Sequence, residues 1–91
     1  MADIYTTAPN GAQTRITTNE NDEPTEMMIM TETRLLHMRK GFKSGLWSVS
    51  LDKRSWDAYG FLEQRNLRTY VNMTHAEAMA YWDKKDKQFN K

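Results

Sequence analysis

Ninety-one residues, 38% hydrophobic and 27% charged, suffice for one domain with a lean core. The absence of cysteine excludes disulfides, thiolate zinc sites and cysteine nucleophiles, and no run of about 18 apolar residues is present to span a membrane. The net charge of +1 hides a reversal near residue 34: Met1 to Thr33 carries six acids and one base, net −5, whereas Arg34 to Lys91 carries twelve bases and six acids, net +6.

All three tryptophans lie in the basic part. A dipolar chain of this kind points to binding at a charged surface rather than to catalysis. The first residues, Met-Ala-Asp-Ile-Tyr, have neither the basic region nor the apolar run of a secretory leader. With the lack of cysteine, this places the expected location in a reducing cytoplasm.

In chain order, residues 4–7 and 14–18 flank Pro9-Asn10-Gly11, and Asn-Gly predicts a hairpin closed by a type I′ turn. The same stretch offers only Ile4, Tyr5 and Ile16 for burial, so a flexible acidic arm explains it equally well. The expected division is therefore a polar acidic arm or hairpin over residues 1–26 and a single α+β domain over 27–91, with residues 1–20 removable. Residues 19–24 read as a loop.

Residues 27–40 fit two patterns. Acids before them, and His37, Arg39, Lys40 and Gly41 at their end, suit a helix dipole. Ile29, Thr31 and Thr33 are β-branched and favour a strand leading into a turn at 41–45. The strand is preferred because residues 46–51 alternate cleanly, with Trp47, Val49 and Leu51 on one side, and such a strand needs a partner.

Residues 55–64 read as a short helix capped by Ser55 or as a continuing strand. Leu67, Thr69, Val71 and Met73 alternate as a strand. Thr74 and Glu77 then form a capping box that opens a helix from His75 to about Lys87, with Ala78, Met79, Trp82, Asp86 and Phe89 on its inner stripe. The expected fold is a small antiparallel sheet packed against a C-terminal helix.

Catalytic patterns do not assemble. His75-Ala76-Glu77 matches the H-x-E fragment of zinc deaminases, but the further ligands are missing, so capping is the better role. Gly41-Phe42-Lys43-Ser44-Gly45 lacks the order of a phosphate loop and reads as a turn. No enzyme activity, metal or cofactor is expected.

Two surfaces remain. One is a basic set, Arg34, Arg39, Lys40, Lys43, Lys53, Arg54, Arg65 and Arg68, with Trp56 the aromatic expected to be exposed. It suits either an acidic protein surface or, with bases stacked on Trp56, nucleic acid. The other is Met27, Met28 and Met30, a flexible apolar run that suits a protein partner or, on an edge strand, a second copy.

In size, composition and lack of cysteine the chain is similar to small accessory proteins of bacteriophages and mobile elements. Many of those bind and inhibit a host enzyme or a nucleoprotein complex. The resemblance implies a non-enzymatic binding protein or inhibitor with a host protein or nucleoprotein complex as partner. Nucleic-acid binding is the alternative, a homodimer is possible on either reading, and no membrane partner is expected.

Overall fold

Alternation of apolar and polar side chains, interrupted at regular intervals by turn residues, produces six strands and one helix. The computed structural model describes residues 2–89; Met1 and Asn90–Lys91, the outer ends of the two expected segments, lie outside the described residues. The elements are β1 (Ala2–Thr7), β2 (Gln13–Thr18), β3 (Pro24–Met30), β4 (Arg34–Lys40), β5 (Trp47–Trp56), β6 (Leu62–Met73) and α1 (His75–Phe89). The strands form one antiparallel sheet in the order β1-β2-β3-β4-β5-β6, so each connection between strands is a hairpin. This is the expected α+β fold. Among the described residues no helix is long and apolar enough to cross a membrane.

Three of the hairpins close in the same way. Gly11 N–H donates to the Ala8 carbonyl and Ala8 N–H to that of Ala12; Asp22 with Asn19 and Glu23, and Gly60 with Asp57 and Phe61, repeat the pattern. The third residue of each three-residue loop is left-handed, with φ of 89° at Gly11, 59° at Asp22 and 82° at Gly60. This is a type I turn followed by one left-handed residue, not the expected type I′ turn. Pro9 explains the correction: as the residue before Asn-Gly it has no N–H to close a two-residue loop, whereas its fixed negative φ suits the first central position of a type I turn that starts at Ala8. Side-chain carboxyl and amide oxygens complete the loops. Asn19 Oδ1 accepts from the N–H groups of Asn21 and Glu23, and Asp57 Oδ1 from those of Tyr59 and Phe61.

A Cβ added to Gly60 meets nothing within 4 Å, so the cost of Gly60→Ala is purely that of the backbone. Gly60→Ala is expected to destabilise the protein by about 1 kcal/mol. Asp22→Gly should change stability by less than roughly half that, because Asp is tolerated in this conformation and glycine gains freedom in the unfolded chain. Chemical denaturation of the two variants checks this.

The expected single strand over 27–40 is two strands. Thr31 breaks it: its Oγ1 accepts from the N–H groups of Thr33 and Arg34, while its own N–H donates to the Arg34 carbonyl. Such side-chain turns compete with the ladder even where propensity favours a strand. In the mixed segment 55–64, β5 continues to Trp56, the chain turns through Asp57–Gly60, and β6 begins at Leu62. The N-terminal hairpin is continuous with the sheet, with Ile16 opposite Met27, and residue 26 lies inside β3.

One side of the sheet is the core. It presents Met27, Ile29, Leu36, Met38, Trp47, Val49 and Leu51 to Ala78, Trp82 and Phe89 of α1. Met79 and Asp86 of the expected stripe are half-buried. The capping box forms as read: Glu77 N–H donates to Thr74 Oγ1 and Thr74 N–H to Glu77 Oε1, both at 3.3 Å. At the start of α1 the buried Trp47 indole donates to His75 Nδ1 at 3.3 Å. At its end Asn10 Nδ2 donates to the Phe89 carbonyl at 2.7 Å. The helix therefore crosses the sheet from β5 to the first hairpin. It leaves residues 62–72 of β6 exposed.

Candidate functional site

The β5–β6 hairpin outruns its neighbours. Pairing of β4 with β5 ends at Arg34 opposite Lys53. Beyond it Arg54 N–H still donates to the Thr33 carbonyl at 2.7 Å, and Ser55 and Trp56 pair only with Glu63 and Leu62. Two residues at strand rise make about 7 Å of projecting ribbon before the turn. The tip is apolar: Trp56 is 55% exposed, Tyr59 86%, Phe61 70% and Leu62 42%.

Alternation decides which side each residue takes. Leu51 is in the core, so Lys53 lies on the helix side of the sheet. Arg34 is directly opposite Lys53 on one neighbour and Arg65 on the other. Three cations thus form a row across β4, β5 and β6. Arg68, opposite Leu51, extends the same side along β6. Its guanidinium donates to Tyr70 Oη at 3.3 Å, and Tyr70 meets Tyr81 of α1 edge-on at 5.8 Å. The Tyr70 hydroxyl holds Arg68 still more firmly protonated than usual, and burial beside Tyr70 pushes the Tyr81 phenol upward.

Among the described residues, every ion pair converges on Glu26, from Arg15, His37 and Arg39. Among the described residues no carboxylate forms an ion pair with Arg34, Lys53, Arg65 or Arg68. Like charges directly opposite on adjacent strands repel, so this row weakens the sheet.

The other side of the ribbon is different. Trp56 faces Leu62 across the hairpin, and the Arg54 guanidinium lies 5.8 Å over the indole while donating to the Thr31 carbonyl at 2.8 Å. Trp56, Arg54 and Met30 line a depression with Gln13. Further along, Asp52 accepts from Gln64 Nε2 at 2.6 Å, Asn66 Nδ2 at 2.9 Å and Ser50 Oγ at 3.3 Å. That carboxylate is satisfied internally, and its bonds stiffen the base of the ribbon.

The structure therefore divides the residues singled out by sequence. Lys53, Arg65 and Arg68 share the helix side, joined by Arg34. Arg54 and Trp56 share the open side. Arg39 pairs with Glu26, whose carboxyl burial would raise but which Arg39, His37 and Arg15 together hold below its ordinary value. Lys40 and Lys43 lie at the β4–β5 turn, about 20 Å away along β4. Of the methionines, Met27 is 2% exposed and belongs to the core, while Met28 and Met30 are half-buried on the open side. They sit on β3, an interior strand, so pairing with a second copy along this strand is not available.

His75 and Glu77 are engaged in the indole contact and the cap. Among the described residues no three His, Asp or Glu side chains are grouped to hold a metal ion. Comparison with known proteins finds no matching family, no similar curated protein and no similar solved structure. What the fold defines is a small α+β protein: a six-stranded antiparallel meander, one side covered by a single helix, with a projecting two-sided hairpin.

Proposed function

We propose that this is a small non-enzymatic binding protein, an accessory or inhibitor that acts by protein–protein contact through its β5–β6 hairpin. The observation that supports this is the juxtaposition of three directly opposed cations, without an ion-pair partner among the described residues, and four large exposed apolar side chains at the adjacent tip. The opposed cations cost folding stability, the apolar tip gains no burial on folding, and a partner would offset the first and bury the second. Tryptophan, tyrosine and arginine are also the side chains that dominate protein interfaces.

The cation row favours one second reading, contact with a nucleic-acid backbone. A stacking site wants aromatic faces interleaved with the cations on one surface. Here alternation sends Trp56 and Leu62 to the side opposite Lys53 and Arg65, and Tyr70 on the cation side is engaged by Arg68 and Tyr81, which ranks the protein partner first.

The test is fluorescence anisotropy with mixed single- and double-stranded oligonucleotides at low salt, beside affinity isolation from nuclease-treated lysate. The expected result is no saturable oligonucleotide binding at micromolar protein. A bound protein should survive nuclease and be lost on combined Tyr59→Ala and Phe61→Ala substitution. Tight oligonucleotide binding, with a log–log salt slope of about −3 for four neutralised phosphates on a single strand, would transfer the function to nucleic acid.

A further inference from the structure

We infer that the β5–β6 hairpin is a two-sided wedge, and that its occupant is a cleft in a partner protein with one carboxylate-rich wall and one apolar wall. This rests on the protein-contact reading above and specifies the chemistry of the partner. At the base of the ribbon Lys53, Arg65 and Arg34 face one way, with Ser55 and Glu63 beyond them; Trp56 and Leu62, with Met30 at their base, face the other. A flat partner surface can touch only one of these sides. A cleft about as wide as the 10 Å that separates packed sheets can touch both.

The base of the ribbon leaves room for both walls. A depression on the helix side is lined by Asn10, Thr33, Arg34, Gln88 and Phe89, and one on the open side by Gln13, Met30, Arg54 and Trp56. The two share Gly11, Thr31 and Glu32, so the β3–β4 turn stands between them as a stop for insertion. Charge selects the walls. The three cations, which outnumber Glu63 on their side and have no ion-pair partner among the described residues, call for acids there, and the indole facing Leu62 calls for an apolar surface on the other side.

Strand addition along the outer edge of β6 is the competing mode, including pairing with a second copy. Its geometry is poor. One extra residue falls between the partners of Leu51 and Asp52, and a second irregularity lies where Asn72 is left-handed with φ 58°. Bulges of this kind protect an edge from pairing.

Glu63 and Leu62 are adjacent, exposed and on opposite sides, which provides the experiment. A photo-crosslinking benzoylphenylalanine is placed at either position in the full chain, and adducts formed in nuclease-treated lysate of the encoding organism are sequenced. The wedge requires both positions to mark the same protein, at an Asp/Glu-rich segment from Glu63 and an apolar segment from Leu62. Lys53→Glu should then cut the yield roughly tenfold. The same substitution should raise the melting temperature by a few degrees, because it replaces two cross-strand repulsions by attractions.

Adducts on a protein from one position only, or a yield indifferent to Lys53→Glu, would overturn the wedge and leave protein contact standing. Adducts on another copy of this chain would assign the hairpin to self-association. Absence of any protein adduct from either position would overturn both the wedge and the protein-contact reading.

Discussion

Trp47→Ala is expected to remove most of the protein's stability. Trp47 is fully buried, the largest side chain in that state, and lies where the start of α1 meets β5. Truncating a buried tryptophan costs about 3–5 kcal/mol, through lost transfer energy and the cavity left behind. Small domains have little more than about 5 kcal/mol in total. A partly unfolded population in water and a urea midpoint shifted far down are therefore the expected results. Trp82→Ala should cost somewhat less, since that ring is 8% exposed. Phe42 projects fully into solvent at the β4–β5 turn and provides the control: Phe42→Ala should leave the midpoint unmoved. A Trp47→Ala curve that overlays the Phe42→Ala curve would place the core elsewhere.

The parts of this fold legible in the sequence are those where one local signal dominates. Trp47, Val49 and Leu51 alternate without interruption, and Thr74 with Glu77 spells a helix start that nothing nearby contradicts. The break at Thr31 was not legible, because Thr31 and Thr33 suit a strand by propensity and only a hydroxyl turn separates β3 from β4. The first hairpin was half-legible. Its turn residues were plain, but its buried residues are Ala12 and Thr18, small side chains that do not register as core on a list of large apolar groups.

The candidate surface was legible as a composition and not as a geometry. Lys53, Arg54, Arg65, Arg68 and Trp56 were apparent. That Arg54 and Trp56 turn away from the others follows from alternation along β5, once that segment is known to be a strand to its end. That Arg34 joins Lys53 and Arg65 follows only from the register of three strands, which local pattern does not specify. Arg39 shows the converse. It looked like a free cation, and the register places it opposite Glu26.

The same register argues against removing residues 1–20 without loss of the fold. A chain beginning at Asn19 is expected to lose its cooperative thermal transition, whereas one beginning at Ala8 should keep it. β1 is exposed along its whole length and pairs only with β2, so its loss removes an edge and little burial. β2 pairs with β3 from Gln13 to Thr18, packs Ile16 against the core and carries the buried Thr18. The loop before it buries Ala12 to 1% exposure and ties down the end of α1 through Asn10 and the Phe89 carbonyl. Cutting at Asn19 therefore uncovers Met27 and Ile29, unpairs one edge of β3 and frees the helix end together. Two large apolar side chains brought to the surface cost about 3–6 kcal/mol before the lost ladder bonds are counted, which is comparable to the whole stability of a domain this size. Circular dichroism on heating separates the outcomes. A sharp melt from the chain that starts at Asn19 would mean that β3 to β6 with α1 form a self-sufficient unit and that the first hairpin only decorates it.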